Sequence, residues 1–204
     1  MIAVIDYGMG NVRSVVKAFA SLGYEVSITC SPKVIERASH VVLPGVGAFG
    51  DAMQELNNRN LTGAIRDTAR DGTPFLGICI GLQVLFDSSE ENPGVPGLGL
   101  IPGTVKRFQP ADPELKVPHM GWNRLTFVRR PPLAEGLAEN PFVYFVHSFY
   151  TAPADEAVTA ATTEYDVTFT SMIWRDNMFA TQFHPEKSQA TGLQMLKNFA
   201  ELKI

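Results

Sequence analysis

Cys79 lies in the run Thr73-Pro74-Phe75-Leu76-Gly77-Ile78-Cys79-Ile80-Gly81-Leu82-Gln83, with glycines two residues to either side. Phe75 to Ile78 reads as a short buried strand entered through Pro74. Gly81 onward, through Leu82, Val84, Leu85 and Phe86, reads as the start of a helix. A side chain on such a strand-to-helix turn projects above the sheet, and flanking glycines let the backbone bend and a substrate approach. The following helix N-terminus favours a thiolate and an oxyanion. Cysteine is also one of the commonest core residues, so the turn alone does not establish chemistry. A second stretch adds to it: Phe179-Ala180-Thr181-Gln182-Phe183-His184-Pro185-Glu186-Lys187 offers an imidazole and a carboxylate two residues apart. A free cysteine, with a pKa of about 8.5, is only a few per cent thiolate at neutral pH. A neighbouring imidazole, itself oriented by a carboxylate, corrects that. The chemistry to expect is nucleophilic attack on a carbonyl.

The elements that must position these groups begin with a strand over Ile2–Ile5 and a glycine loop, Asp6 to Asn11. Val12, Val15, Val16, Phe19 and Leu22 follow helical spacing, and Gly23 closes that helix. The loop lacks the third glycine of a dinucleotide fingerprint, because Arg13 stands there, so no nucleotide cofactor is expected. A strand over Glu25–Thr29, a short helix over Pro32–Arg37 and a strand over Val41–Leu43 follow. The loop Pro44 to Phe49 is placed to give a backbone N–H to an oxyanion, together with the N–H of Ile80. Helices over Asp51–Asn58 and Leu61–Asp71 complete a β-α alternation that implies a parallel sheet.

The second half differs. Asn92 to Gly103 is dense in Pro and Gly and reads as an ordered loop. Short strands are expected at Thr104–Phe108, Arg124–Phe127, Phe142–Val146, Val158–Thr162, Phe169–Trp174 and Met178–Phe183, antiparallel or mixed and extending the sheet. An amphipathic helix over Thr191–Leu202 closes the chain. The fold class is therefore α/β, three-layer, with a mostly parallel central sheet, helices on both faces and antiparallel strands added in the C-terminal half. One domain over residues 1–204 is expected.

Composition narrows the function. Charged residues make up 19% and hydrophobic residues 45%, as in an ordinary soluble protein, and a net charge of −4 with no basic run argues against nucleic acid. Cys30 and Cys79 form no C-x-x-C pair, so no metal site is expected; a disulfide between them stays open, and a reactive thiol suits a reducing cytoplasm. The N-terminal run has no basic segment before it and reads as a strand, not a signal peptide. His40 begins a strand and is given no role. His147 could compete as the base but has no carboxylate spaced to orient it. His119 lies in a Pro118-to-Asn123 loop whose Met and Trp read as core or as a partner surface.

G-I-C-I-G-L-Q at Gly77 to Gln83 with the later F-H-P-E resembles the class I glutamine amidotransferases, which carry a Cys-His-Glu triad. D-Y-G-M-G-N at Asp6 to Asn11, P-G-V-G-A-F at Pro44 to Phe49 and P-G-L-G-L-I-P-G at Pro96 to Gly103 narrow the resemblance. So do K-V-P-H-M-G-W-N at Lys116 to Asn123, Y-F-V-H-S-F at Tyr144 to Phe149 and F-H-P-E-K-S at Phe183 to Ser188. Together the seven resemble the glutaminase subunits of imidazole glycerol phosphate synthases, with Ile80 where that family often has Leu.

The resemblance implies that Cys79 is the nucleophile, His184 the base and acid, and Glu186 the group that orients His184. It implies oxyanion donors at Val46 and Ile80, and glutamine-binding residues Gly47, Gln83, Glu91, Ser148 and Phe149. It implies a heterodimer with a (β/α)8 barrel cyclase subunit that receives ammonia through a tunnel, a partner surface including Asn11, Met120, Trp122, Tyr144 and Lys187, and no cofactor. A Pro44–Gly47 loop misaligned until the partner binds its nucleotide is expected too. Other readings are an amidotransferase of another pathway, such as pyridoxal phosphate synthesis, a cysteine peptidase or thiol stress protein of the same α/β type, and a catalytically silent regulatory subunit.

Overall fold

In the computed structural model, residues 1–203 are described. Five strands form a parallel block in the order β2 (Val26–Thr29), β1 (Ile2–Ile5), β3 (His40–Gly45), β4 (Phe75–Cys79) and β13 (Met178–Thr181). Every residue of β1, β3, β4 and β13 is buried. This is why they read as short unbroken apolar runs and not as alternating ones. Helices α1 (Val12–Ser21), α2 (Pro32–Ile35), α3 (Phe49–Asn58) and α4 (Thr62–Arg70) connect them. Gly23, at a φ of +88°, ends α1, with its N–H donating to the Ala20 carbonyl. The C-terminal helix α6 (Gln189–Glu201) packs on α1, and α2 packs on α4.

The sheet continues antiparallel past β13 through β12 (Thr168–Arg175), β10 (Phe149–Pro153) and β6 (Ile101–Arg107), and ends at β5 (Phe86–Ser89), parallel to β6. β11 (Thr159–Glu164) pairs with β12 and with the two-residue β8 (Thr126–Phe127). β7 (His119–Arg124) and β9 (Phe142–His147) form a separate antiparallel pair.

Several expectations are corrected. The helix after Cys79, α5, covers only Ile80–Gln83, and Phe86 begins a strand. The Gly/Pro loop ends at Leu100, because Ile101 to Gly103 already belong to β6. Pro44 and Gly45 are the end of β3, which leaves Val46 to Ala48 as the loop before α3. The 119–123 segment is a strand, because its backbone pairs with β9 from His119↔His147 to Arg124↔Phe142. That pair lies outside the main sheet and does not extend it. β10 has no counterpart in the sequence reading.

Inserting β13 between β4 and β12 matters most for the site. Thr181 pairs with Ile78, so the next residue of each strand brings Gln182 level with Cys79. His184 stands just beyond, where the chain leaves the sheet into a 3-10 turn over Pro185–Lys187.

Candidate active site

Cys79 is the last residue of β4 and the first before α5, at φ 57° and ψ −108°. A non-glycine residue is rarely held there, at a strain of about 1–3 kcal/mol. Two close backbone approaches hold it. A Cβ on Gly77 would come 2.6 Å from the Gly81 carbonyl oxygen, and one on Gly81 would overlap the Leu43 carbonyl oxygen. The flanking glycines therefore let α5 fold back against β3 and β4. The Gln182 amide Nε2 lies 3.7 Å from the Cys79 sulfur.

His184 is 1% exposed. Its Nδ1 bonds the Glu186 carboxylate at 2.9 Å, which fixes the ring and leaves Nε2 facing the thiol. Nε2 and the second Glu186 oxygen close no hydrogen bond of normal geometry among the described residues. The His184 backbone is tied on both sides: its N–H donates to the Tyr144 carbonyl of β9, and the Ser188 hydroxyl donates to its own carbonyl at 2.7 Å. Burial works to lower the imidazole pKa. The Cys79 sulfur and then the Glu186 carboxylate outweigh burial and raise it to about 10. At neutral pH the ring is therefore protonated, held between the Cys79 sulfur and the Glu186 side chain.

The sign of this linkage gives a prediction. A base raised above its ordinary value of 6.5 contributes stability that is complete below 6.5 and lost as pH rises through about 10. Glu186→Ala leaves a buried imidazolium without its carboxylate and is expected to cost about 3–5 kcal/mol at low pH. Denaturant unfolding of both proteins at pH 6 and again above pH 10 should show that difference shrink.

A cavity of about 280 Å³ opens on the thiol. It is lined by Val46, Gly47, Cys79, Ile80, Gln83, Glu91, Ser148, Phe149 and His184, with Pro118, Val146 and His147. Nearly all the sequence-selected residues of the pocket thus converge; Glu186 stands behind His184 and does not line it. Gly47 has a φ of +95°, a torsion open to glycine. Gln83 is buried, with its Nε2 donating to the Phe149 carbonyl at 3.2 Å and to the Gln182 Oε1 at 3.0 Å. One Glu91 oxygen accepts the Phe49 N–H at 2.7 Å, and Asn92 Oδ1 accepts the Gly50 N–H at 2.8 Å. These side chains satisfy the first turn of α3, which has no cap from Ala48.

The other two histidines near the cavity are occupied. His147 Nδ1 donates to the Phe149 carbonyl at 2.8 Å, which leaves its Nε2 to accept from His119 Nδ1 at 2.9 Å. His119 Nε2 in turn meets the Asn123 amide at 3.2 Å. Burial holds both rings neutral, lowering His119 to about 4 and His147 to about 3. With both nitrogens engaged, His147 has no lone pair left for a substrate. Gln182 and Asn92 escaped the sequence reading. Neither carries a spacing signal, and both act through pairings between distant segments.

Met120 and Trp122 are 62% and 46% exposed on the outer side of β7, while His119 points inward. Trp122 pairs with Tyr144, their rings 6.1 Å apart, and Lys187 Nζ lies 5.8 Å from the Tyr144 ring. Phe142, 50% exposed, continues this face and was not foreseen. Asn11 immediately precedes α1, which packs against the 3-10 turn that carries Lys187. Cys30 is exposed and Cys79 buried, and both are free. Among the described residues no group of His, Cys, Asp and Glu could hold a metal ion, and no helix is long and apolar enough to cross a membrane.

The family description Glutamine amidotransferase class-I matches residues 3–202. The chain is 53% identical to an imidazole glycerol phosphate synthase subunit HisH of Geobacter sulfurreducens, covering 99% of each. It is 54% identical to the subunit of that name from Moorella thermoacetica, over 98% of this chain and 94% of the other. A solved structure described as a glutamine amidotransferase superposes with a TM-score of 0.75 at 19% identity, over 98% of this chain and all of that one. That last likeness speaks to the fold alone.

Proposed function

Because the chain belongs to the class I glutamine amidotransferases, and among them to the HisH subunits of imidazole glycerol phosphate synthase, we propose that it hydrolyses glutamine for histidine biosynthesis. The observation that carries this is the cavity in which a strained cysteine faces an imidazole held by a carboxylate.

The Cys79 thiolate attacks the side-chain amide carbon of glutamine. The oxyanion that forms takes hydrogen bonds from the N–H groups of Val46 and Ile80. His184, as imidazolium, gives its proton to the leaving nitrogen, and ammonia departs from a thioester. The neutral ring then removes a proton from water, hydroxide adds to the thioester, and glutamate leaves as the sulfur regains its charge. Glu186 holds the ring in one orientation through both steps. Gly47, Gln83, Glu91, Ser148 and Phe149 hold the amino acid end of the substrate. Gln83 does so with one amide edge already fixed to Phe149 and Gln182.

Ammonia passes to a cyclase subunit, a (β/α)8 barrel, docked on the outer face of β7 and β9. Support comes from the exposed Met120, Trp122 and Phe142, large apolar groups that a lone soluble chain has little reason to display together. Asn11, Tyr144 and Lys187 belong to the same contact. The work is cytoplasmic and needs no cofactor, and the whole chain acts as one domain. The Val46 N–H is presented fully only when the partner holds its nucleotide.

The test is glutamate release by the purified chain, alone and with the cyclase and its nucleotide ligand. Strong stimulation is the expected result. Equal rates with and without the partner would remove the gating. Trp122→Ala should weaken association about thirtyfold, as loss of a buried aromatic anchor worth about 2 kcal/mol does. Unchanged affinity by titration calorimetry would move the docking face elsewhere.

A further inference from the structure

Tyr7 follows β1 and is 1% exposed, yet its hydroxyl has no hydrogen-bond partner among the described residues. Such groups are rare in folded proteins and destabilise the state in which they occur. The position of this one is specific. A Cβ built on Gly45 would lie 2.5 Å from the Tyr7 oxygen, 2.8 Å from Ile80 Cβ and 3.1 Å from the Gly81 nitrogen. Gly45 precedes Val46, so the hydroxyl stands where the two backbone segments proposed to bind the oxyanion meet. Tyr7 does not line the cavity; it lies behind that wall. Burial, and then the charge of Cys79, hold its phenol far above the ordinary tyrosine range, so it is always a donor.

The N–H and C=O of one peptide point in opposite directions. When the Gly45–Val46 peptide aims its N–H into the cavity, its carbonyl turns away from the cavity, toward the wall that Tyr7 backs. We infer that Tyr7 is a positioning residue whose hydroxyl takes the Gly45 carbonyl when that peptide presents the Val46 N–H to substrate. This rests on the glutaminase reading given above. It also accounts for a donor kept buried without an acceptor: the acceptor arrives with the catalytic arrangement. Glycine at position 45, whose ψ turns with that peptide, makes the turn less costly.

The test is Tyr7→Phe, which removes one oxygen and leaves the ring, in the full chain with the cyclase and its nucleotide. The kcat for glutamate release is expected to fall about ten- to a hundredfold, less than the 10²–10³ for deleting an oxyanion donor outright. KM should hold within about twofold, and the rate at which iodoacetamide alkylates Cys79 should not change. The thermal midpoint should stay or rise, because the variant no longer buries an unpaired hydroxyl. An unchanged kcat overturns the inference. So does a lower thermal midpoint, which marks a structural hydroxyl, or a changed alkylation rate, which places the hydroxyl on the thiolate. A wild-type complex that releases no glutamate defeats the glutaminase reading first, and this inference with it.

Discussion

Cys79→Ala is expected to lower glutamate release by about 10⁴ or more while leaving the fold and partner affinity in place, since removing a nucleophile disables the whole constellation. No other thiol can substitute, because Cys30, directly after β2, is exposed and lines no part of the cavity. Alanine keeps the Cβ, so the φ of 57° and its strain persist and the turn keeps its shape. His184 loses the main group that raises its pKa and keeps only Glu186, so its proton should come off at lower pH. A discontinuous assay of glutamate, with glutamine in excess and the partner present, checks the rate. Histidine NMR from pH 6 to 10 checks the titration. Residual activity within a hundredfold of wild type would mean that another group attacks the amide.

Gly81→Ala should be among the most damaging single methyls, and the one that reaches the active site most directly. The added carbon overlaps the Leu43 carbonyl oxygen, and Leu43 is fixed in β3, hydrogen-bonded between β1 and β4. Neither side is a flexible side chain that can move away. A loss of about 3 kcal/mol or more is expected, at the upper end of overpacking effects. Any relaxation must displace α5, and with it the Ile80 N–H and the elbow. Activity should therefore fall even where the protein remains folded. Gly63→Ala in α4 is the matched control: nothing lies within 4 Å of its new Cβ, and helix propensity makes it neutral or slightly stabilising. Urea unfolding of the two variants separates a true steric clash from a general intolerance of lost glycine.

The parallel half of the fold was legible because β1, β3, β4 and β13 are short, wholly buried runs of mostly apolar residues. Cys79, His184 and Glu186 were legible as candidates because a nucleophilic thiol calls for a base and an orienting group, and two of them share one short stretch. The β7 strand was not legible. Its inward residues are His119, Gly121 and Asn123, and its outward ones Met120, Trp122 and Arg124, the reverse of the usual apolar-in pattern. That inversion fits a surface built for a partner. Val84-Leu85-Phe86 misled for another reason: a buried apolar triplet looks alike in a helix or entering a strand, and only pairing with β6 decides. Gln182 and Tyr7 were invisible, since each matters only through a neighbour that the topology supplies.

The late insertion of β13 sets the timing of biogenesis. The contact between Gln182 and Cys79 spans 103 residues, and β13 must enter between β4 and β12 before His184 can reach the thiol. Pairings of such separation are slow to form, and N-terminal segments fold first during synthesis. A chain still on the ribosome can therefore complete β1 to β4 and expose Cys79 as an unassisted thiol. Competence arrives only once residues 178 to 186 have been translated and folded in. Ammonia release is thereby withheld from unfinished chains, and a product truncated before residue 178 would be inert and leave β4 as an open sheet edge, a target for aggregation and proteolytic clearance.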